Sequence, residues 1–168
     1  MKVFLIVATT ADGMIGRSTG HLADWTSPED KKLFVRLTKE AGVMVMGART
    51  FETIGRALPG RRTIVYTSKP ESITVEGVEA TNESPTELVA RLKNEGASGV
   101  AICGGASIYQ LFMESGLVDE VYLTLEPLLF GTGVPLFSGQ LEVALQLVSL
   151  KKLNENTVLL HYKVKKHD

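Results

Sequence analysis

Three short apolar runs, each of strand length, limit what this chain can fold into more than any other feature. "KVFLIVAT" (2–9), "VMVMG" (43–47) and "GVAICGG" (99–105) show no polar alternation, as expected of strands covered on both faces. "RRTIVYTS" (61–68) and "EVYLTLEP" (120–127) add two further strands. Helical segments stand between them. In "SPEDKKLFVRLTKEAG" Ser27 is the expected N-cap, Pro28 the first helical residue, and Leu33, Phe34, Leu37 and Ala41 the apolar face. "SPTELVARLKNEG" (84–96) repeats the Ser-Pro start, with Glu87 completing a capping box and Gly96 as the stop. "TFETIG" and "SIYQLFMESG" supply two shorter helices, and "EVALQLVSL" (142–150) pairs with "TVLLHYKVK" (157–165) across "KKLNEN". This alternation predicts an α/β fold. Residues 1–168 form a single domain whose mostly parallel twisted sheet is flanked by helices and ends in an antiparallel C-terminal edge.

The bulk numbers exclude several function classes. With 44% hydrophobic and 22% charged residues over 168 positions, the chain can bury a core without disulfides or a structural metal. A net charge of −1, with no basic stripe, leaves no electrostatic footprint for nucleic acid or a membrane surface. The lone Cys103 has no disulfide partner, and three scattered His offer no metal-ligand spacing, so no metal is expected. "KVFLIVA" is too short to span a bilayer and lacks a signal-peptide cleavage site, which makes a cytoplasmic location the expectation.

Three segments carry possible chemistry. In "ICGGASIY" (102–109), Gly104 and Gly105 remove Cβ atoms at a strand end, where a helix N-terminus offers N–H groups to a phosphate; a plain tight turn is the alternative. The complete G-x-G-x-x-G fingerprint is missing. In "GARTFETIGRALPGRRTIVYTS" (47–68), Arg61 follows a rigid Pro-Gly turn and could present a planar fork to a carboxylate or phosphate, or simply lie in solvent. In "DWTSPEDKKLF" (24–34), Asp30 stands at N3 of a helix capped by Ser27, so local sequence favours a capping box. Against this, Glu29 would serve the helix dipole equally well. Asp30 also lies four residues before Phe34, on the apolar face, where a capping carboxylate has no need to point.

These segments, in this order, resemble the dihydrofolate reductase family. "TFETIGRALPGR" is similar to its signature, "FLIVATTADGMIG" to its first strand and active-site loop, and "WTSPEDKKLF" to the opening of its second helix. "ICGGASIY" resembles its cofactor-phosphate turn and "EVYLTLEP" the strand with its active-site threonine. The likeness covers roughly residues 2 to 137. It implies that Asp30 is the carboxylate in an apolar pterin pocket, bonded to Thr124. There it would meet the 2-amino group and a ring nitrogen and favour protonation of N5 through a water. Burial would raise the pKa of such an acid. Ile6, Val7, Phe34, Ile54, Leu58, Cys103 and Thr124 would surround the substrate, and Arg61 would grip the carboxylate of its tail. Ala8, Ile15, Gly16 and Cys103 would border the nicotinamide of NADPH. Arg49, Thr50, Thr67 and Ser68 would meet its adenosine half, and Gly104, Gly105, Ala106, Ser107 and Tyr109 its pyrophosphate. The family's cis peptide maps onto Gly104–Gly105.

The implied activity is NADPH-dependent reduction of 7,8-dihydrofolate by a monomer or homodimer. Three departures accompany it. The loop "GRSTGHLADW" is longer than the compact bacterial form. Ala48 and Ser107 replace two arginines that often bind the 2′-phosphate, leaving Arg49 or Lys69 to compensate. "FGTGVPLF" (130–137) looks more like the riboflavin-pathway pyrimidine reductases of the same fold. The alternatives are therefore reduction of a ribosylated diaminopyrimidine or aminouracil, and a nucleotide-binding protein without catalysis.

Overall fold

The structure, a computed structural model, describes residues 1–19 and 24–166. Its elements run β1 (Lys2–Thr10), β2 (Met14–Gly16), α1 (Pro28–Ala41), β3 (Val43–Gly47), α2 (Ala48–Ile54), β4 (Arg62–Tyr66), β5 (Val78–Thr81), α3 (Pro85–Asn94), β6 (Gly99–Ile102), α4 (Ala106–Glu114), β7 (Glu120–Glu126), β8 (Val134–Pro135), β9 (Leu145–Lys152) and β10 (Val158–Val164). Eight strands form one sheet in the order β5-β4-β3-β6-β1-β7-β10-β9, and β2 pairs with β8 apart from it. The pairs from β5 through β7 are parallel; β10 runs antiparallel to both β7 and β9. The expected α/β sheet with an antiparallel C-terminal edge is therefore present.

Strand alternation divides the core between the two faces. Val3, Leu5 and Val7 of β1 pack with Leu88 and Leu92 of α3 and with Ile108 and Phe112 of α4. Phe4 and Ile6 point the other way, to Leu33, Leu37 and Ala41 of α1. Beside α1, Met44, Met46 and Val65 pack on Phe51 of α2. Burial of β1 from both sides is what its unbroken apolar sequence requires. Both long Ser-Pro helices start where expected. The hydroxyl of Ser27 accepts from the Asp30 N–H, and α1 ends on the left-handed Gly42, whose N–H donates to the Thr38 carbonyl.

Strands β2, β5 and β8 are not foreseen from sequence. Each has only two to four residues in mixed polar context, too few for a period to register. The expected strand over 142–150 is displaced to Leu145–Lys152, because pairing with β10 rather than apolar content sets its limits. As an edge strand it stays exposed along its length, with Leu147 at 51% and Leu150 at 62%. Part of the expected long loop, residues 20–23, lies outside the described residues. Among the described residues no helix is long and apolar enough to cross a membrane.

The 130–137 segment is fastened to the first loop. The carboxylate of Asp12 accepts from the N–H groups of Phe130 (3.2 Å) and Gly131 (2.8 Å) and from the Thr10 hydroxyl (2.5 Å). At Gly133 (φ 156°) a Cβ would strike the carbonyl oxygen of Gly16 in β2, a backbone atom with no freedom to move aside. Gly133→Ala should therefore cost about 1–3 kcal/mol of stability, the usual price of overpacking. Urea denaturation that gives the wild-type midpoint would contradict this.

Candidate active site

The carboxyl ends of β1, β3, β4, β6 and β7 open on one edge of the sheet, where open α/β folds place their ligands. Nearly every residue singled out from sequence lies there. β1 brings Ile6 and Ala8, the β3–α2 junction Arg49 and Thr50, and the end of β4 Thr67 and Ser68. The β6–α4 junction brings Cys103 through Tyr109, and β7 brings Thr124.

The start of α1 is built differently from that of α3. In α3 the capping box is complete: Glu87 N–H donates to the Ser84 hydroxyl and the Glu87 carboxylate takes the Ser84 N–H. In α1 only the first half forms, Asp30 N–H to Ser27 Oγ at 3.2 Å. The Ser27 N–H donates instead to Glu126 Oε2 (3.1 Å), and the Ser27 hydroxyl donates to Glu126 Oε1 (2.8 Å). Glu126 comes from the end of β7 and is 3% exposed. The remaining first-turn acid, Glu29, accepts from Asn154 Nδ2 (3.1 Å). Asp30 is thus left to the Thr124 hydroxyl, which hydrogen-bonds its carboxylate. Burial raises the Asp30 pKa above its ordinary value of 3.8; the Thr124 bond and Lys31 oppose the rise, and the charge of Glu126 adds to it.

Apolar side chains pack along the helix that carries this acid. Ile6, Leu33, Phe34 and Cys103 belong to the packing around α1, and Phe34, Cys103, Ile54 and Leu58 all pack against the Met44, Met46, Phe51 and Val65 cluster beside α2. Burial pushes the Cys103 thiol up to about 12, so it stays protonated and acts as a wall. Arg61 is half-buried, and its guanidinium lies near enough to Cys103 to oppose that rise. Its Nη1 donates to the Pro59 carbonyl (2.8 Å), which leaves a buried Nε–H without a partner. An orphaned guanidinium donor beside an apolar slot suits a carboxylate or phosphate. Val7 is a correction. Alternation sends its side chain to the opposite core, with Leu88 and Phe112, so it offers the cleft nothing but backbone.

At the other side of the opening a cis peptide joins Gly104 to Gly105. Gly104 has φ 114°, and a Cβ there would crowd the Tyr109 hydroxyl at 3.3 Å; one on Gly105 would crowd Thr50 Oγ1, also at 3.3 Å. The Gly47 N–H donates to the Gly104 carbonyl (2.8 Å), and the Tyr109 hydroxyl donates to the Ile6 carbonyl (2.7 Å). Gly105 is the N-cap of α4 and Gly47 that of α2, and no side chain caps either helix. Ala106 and Ser107 therefore start α4 at a backbone surface with a positive dipole end. Arg49 and Ser68 are exposed and Thr67 half-buried at the same opening. Ile15 packs against the core cluster that holds Tyr109, and Gly16 is buried.

Glu126 is the residue that the sequence reading missed. The available signal was its spacing: Thr124 and Glu126 alternate with Leu123 and Leu125, so both project from one face of β7. Among the described residues no group of His, Cys, Asp and Glu could hold a metal ion.

Comparison with known proteins agrees with this arrangement. Residues 2–126 match the family described as Dihydrofolate reductase. Dihydrofolate reductase type 3 of Salmonella typhimurium is 36% identical over 74% of this chain and 71% of its own. The solved dihydrofolate reductase of Enterococcus faecalis, complexed with NADP(H), superposes with a TM-score of 0.76 at 28% identity, covering 98% of this chain and 97% of that one. A pyrimidine reductase-like protein of Corynebacterium diphtheriae shares the fold at a TM-score of 0.74 and 20% identity, covering 99% and 92%.

The raised pKa of Asp30 has a consequence for stability. Between 3.8 and its folded-state midpoint the native protein binds more protons than the unfolded chain, so this group's contribution falls as pH rises through that window. Above the window the cost of a buried charge is fully present. Asp30→Asn should therefore melt at a higher temperature than wild type at neutral pH, with the gap closing as pH falls toward 3.8. A calorimetric gap that is absent or reversed at neutral pH would contradict the burial argument.

Proposed function

Because this chain belongs to the dihydrofolate reductase family, we propose that it reduces 7,8-dihydrofolate to 5,6,7,8-tetrahydrofolate with NADPH. The observation that carries the reading is Asp30: a desolvated carboxylate, bonded to Thr124 and released from the helix cap, at the end of an apolar slot.

A pterin edge presents an amino group and a ring N–H side by side, which a carboxylate can accept together. Held in a site that favours its protonated form, Asp30 is suited to deliver a proton toward N5 through a water. Thr124 orients the carboxylate. Phe34, Ile54 and Leu58 would flank the ring and its aryl tail and exclude water, and Arg61 would turn its open donor to the tail carboxylate. The residues present also fit a dinucleotide. Gly104 and Gly105 leave backbone where Cβ atoms would intrude, and the uncapped start of α4 accepts a pyrophosphate. Thr50, Thr67, Ser68 and Arg49 would hold the adenosine half, with Ala8, Ile15 and Gly16 near the nicotinamide. When bound, NADPH supplies the hydride that reduces pterin C6.

A second reading has its own support. The 130–137 segment resembles the pyrimidine reductases, and a protein of that kind shares the fold. On that reading Arg61 faces a sugar phosphate and the substrate is a ribosylated diaminopyrimidine or aminouracil.

Following the loss of nicotinamide absorbance with each substrate in turn separates the two; turnover of the pyrimidine alone overturns the first. With dihydrofolate, Asp30→Asn should cut turnover by about two orders of magnitude or more, as loss of a general acid does. Arg61→Ala should raise KM more than it lowers kcat, because that contact is expected to bind ground state and transition state alike. Wild-type rates from the first variant, or an unchanged KM from the second, would count against these roles.

A further inference from the structure

Two acids meet at the start of α1, and only one of them faces the apolar slot. Asp30 stands where a capping-box acid normally stands, three residues after a serine N-cap, and α3 shows that this chain can close such a box. In α1 both donors of Ser27, the N–H and the hydroxyl, end on the two oxygens of Glu126. Thr124, two residues earlier on the same face of β7, bonds the Asp30 carboxylate. One strand thus fills the cap with one side chain and orients the acid with another.

We propose that Glu126 is a positioning residue for Asp30: it takes over the reciprocal half of the α1 cap, so that the Asp30 carboxylate stays in the cleft with Thr124. This rests on the reading of Asp30 as the acid of the site and deepens it. Vacating the Ser27 N–H would draw the nearest carboxylate back into the box, as Glu87 is drawn in α3, and the cleft would lose its acid.

Glu126 also acts through its charge. A buried negative group beside Asp30 disfavours a second negative charge there. Among the described residues, Asp30 also interacts with Thr124 of β7, Lys31 on its own helix and the buried hydroxyl of Tyr109 on α4. Glu29 is turned away to Asn154. Thr124 and Lys31 favour the ionised form; burial opposes them most, and the charge of Glu126 adds to that opposition.

The test uses the protein without ligands, with carboxyl carbons labelled for NMR. Glu126→Gln removes the charge and keeps an acceptor for Ser27, and the Asp30 midpoint should fall. Glu126→Ala frees the Ser27 N–H, and Asp30 should then titrate below an ordinary carboxylate as it closes the box. In wild type, the Glu126 carboxyl resonance should show an inflection at the Asp30 midpoint, a readout that needs no variant to fold. An Asp30 midpoint unmoved by Glu126→Gln, or no such inflection, overturns the proposal. In turnover, the high-pH limb of the kcat profile should shift down with the NMR midpoint in Glu126→Gln, whereas a purely structural role would lower the profile without moving it. Failure to reduce dihydrofolate would leave the titration arms intact and would count against the substrate assignment alone.

Discussion

Ser27 has two hydrogen-bond donors, and Glu126 takes both. This clasp ties the first residue before α1 to the last residue of β7, two elements separated by most of the chain. Everything on the substrate side of the cleft follows from where α1 starts. Its first turn brings Asp30 to Thr124, and its second brings Phe34 to the two apolar clusters that Cys103 also packs against. Buried polar contacts to charged groups are costly to leave unmade, so the register of α1 against the sheet is set by more than apolar fit.

The four α-helices among the described residues divide into two kinds. Those beginning with Ser-Pro, α1 and α3, have their N-termini satisfied by side chains; those beginning at glycine, α2 and α4, do not. The uncapped pair lies side by side at the ends of β3 and β6, joined by the Gly47 to Gly104 bond. Side-chain capping is thus present at the two Ser-Pro starts and absent at the two glycine starts. Asp30 adds a second polar feature at the carboxyl edge of the sheet: uncapped helix N–H groups at α2 and α4, and a half-buried carboxylate at α1.

Much of this was legible from local sequence because the signals are local. Ser-Pro starts, the Gly96 stop and unbroken apolar runs fixed the helices and the central strands. The cis Gly104–Gly105 peptide stands where the resemblance puts it, although a glycine pair by itself fits a plain tight turn equally well. Three things were not legible. Short strands such as β2 and β8 exist through pairing, not pattern. The orientation of Val7 follows from strand phase, which an all-apolar run cannot show. The burial of Glu126 is the third: a glutamate ending a strand reads as solvated until α1 is laid across it. The question of cap or acid at Asp30 could not be answered within the helix at all, because the competitor for Ser27 comes from residue 126.

The two carboxylates at this helix end are not redundant. Glu126 has a backbone N–H and a hydroxyl on its oxygens, while Asp30 has one threonine hydroxyl and apolar neighbours. Groups of one chemical type placed in such unequal surroundings take unequal roles. On the proposed roles, the acid with the fuller hydrogen-bond shell holds structure, and the desolvated one is left able to exchange a proton. A single carboxylate could not do both, since each bond that anchors it in the cap stabilises its charge and removes it from the cleft. Supplying the second carboxylate from β7 separates the tasks, at the cost of burying an additional charge.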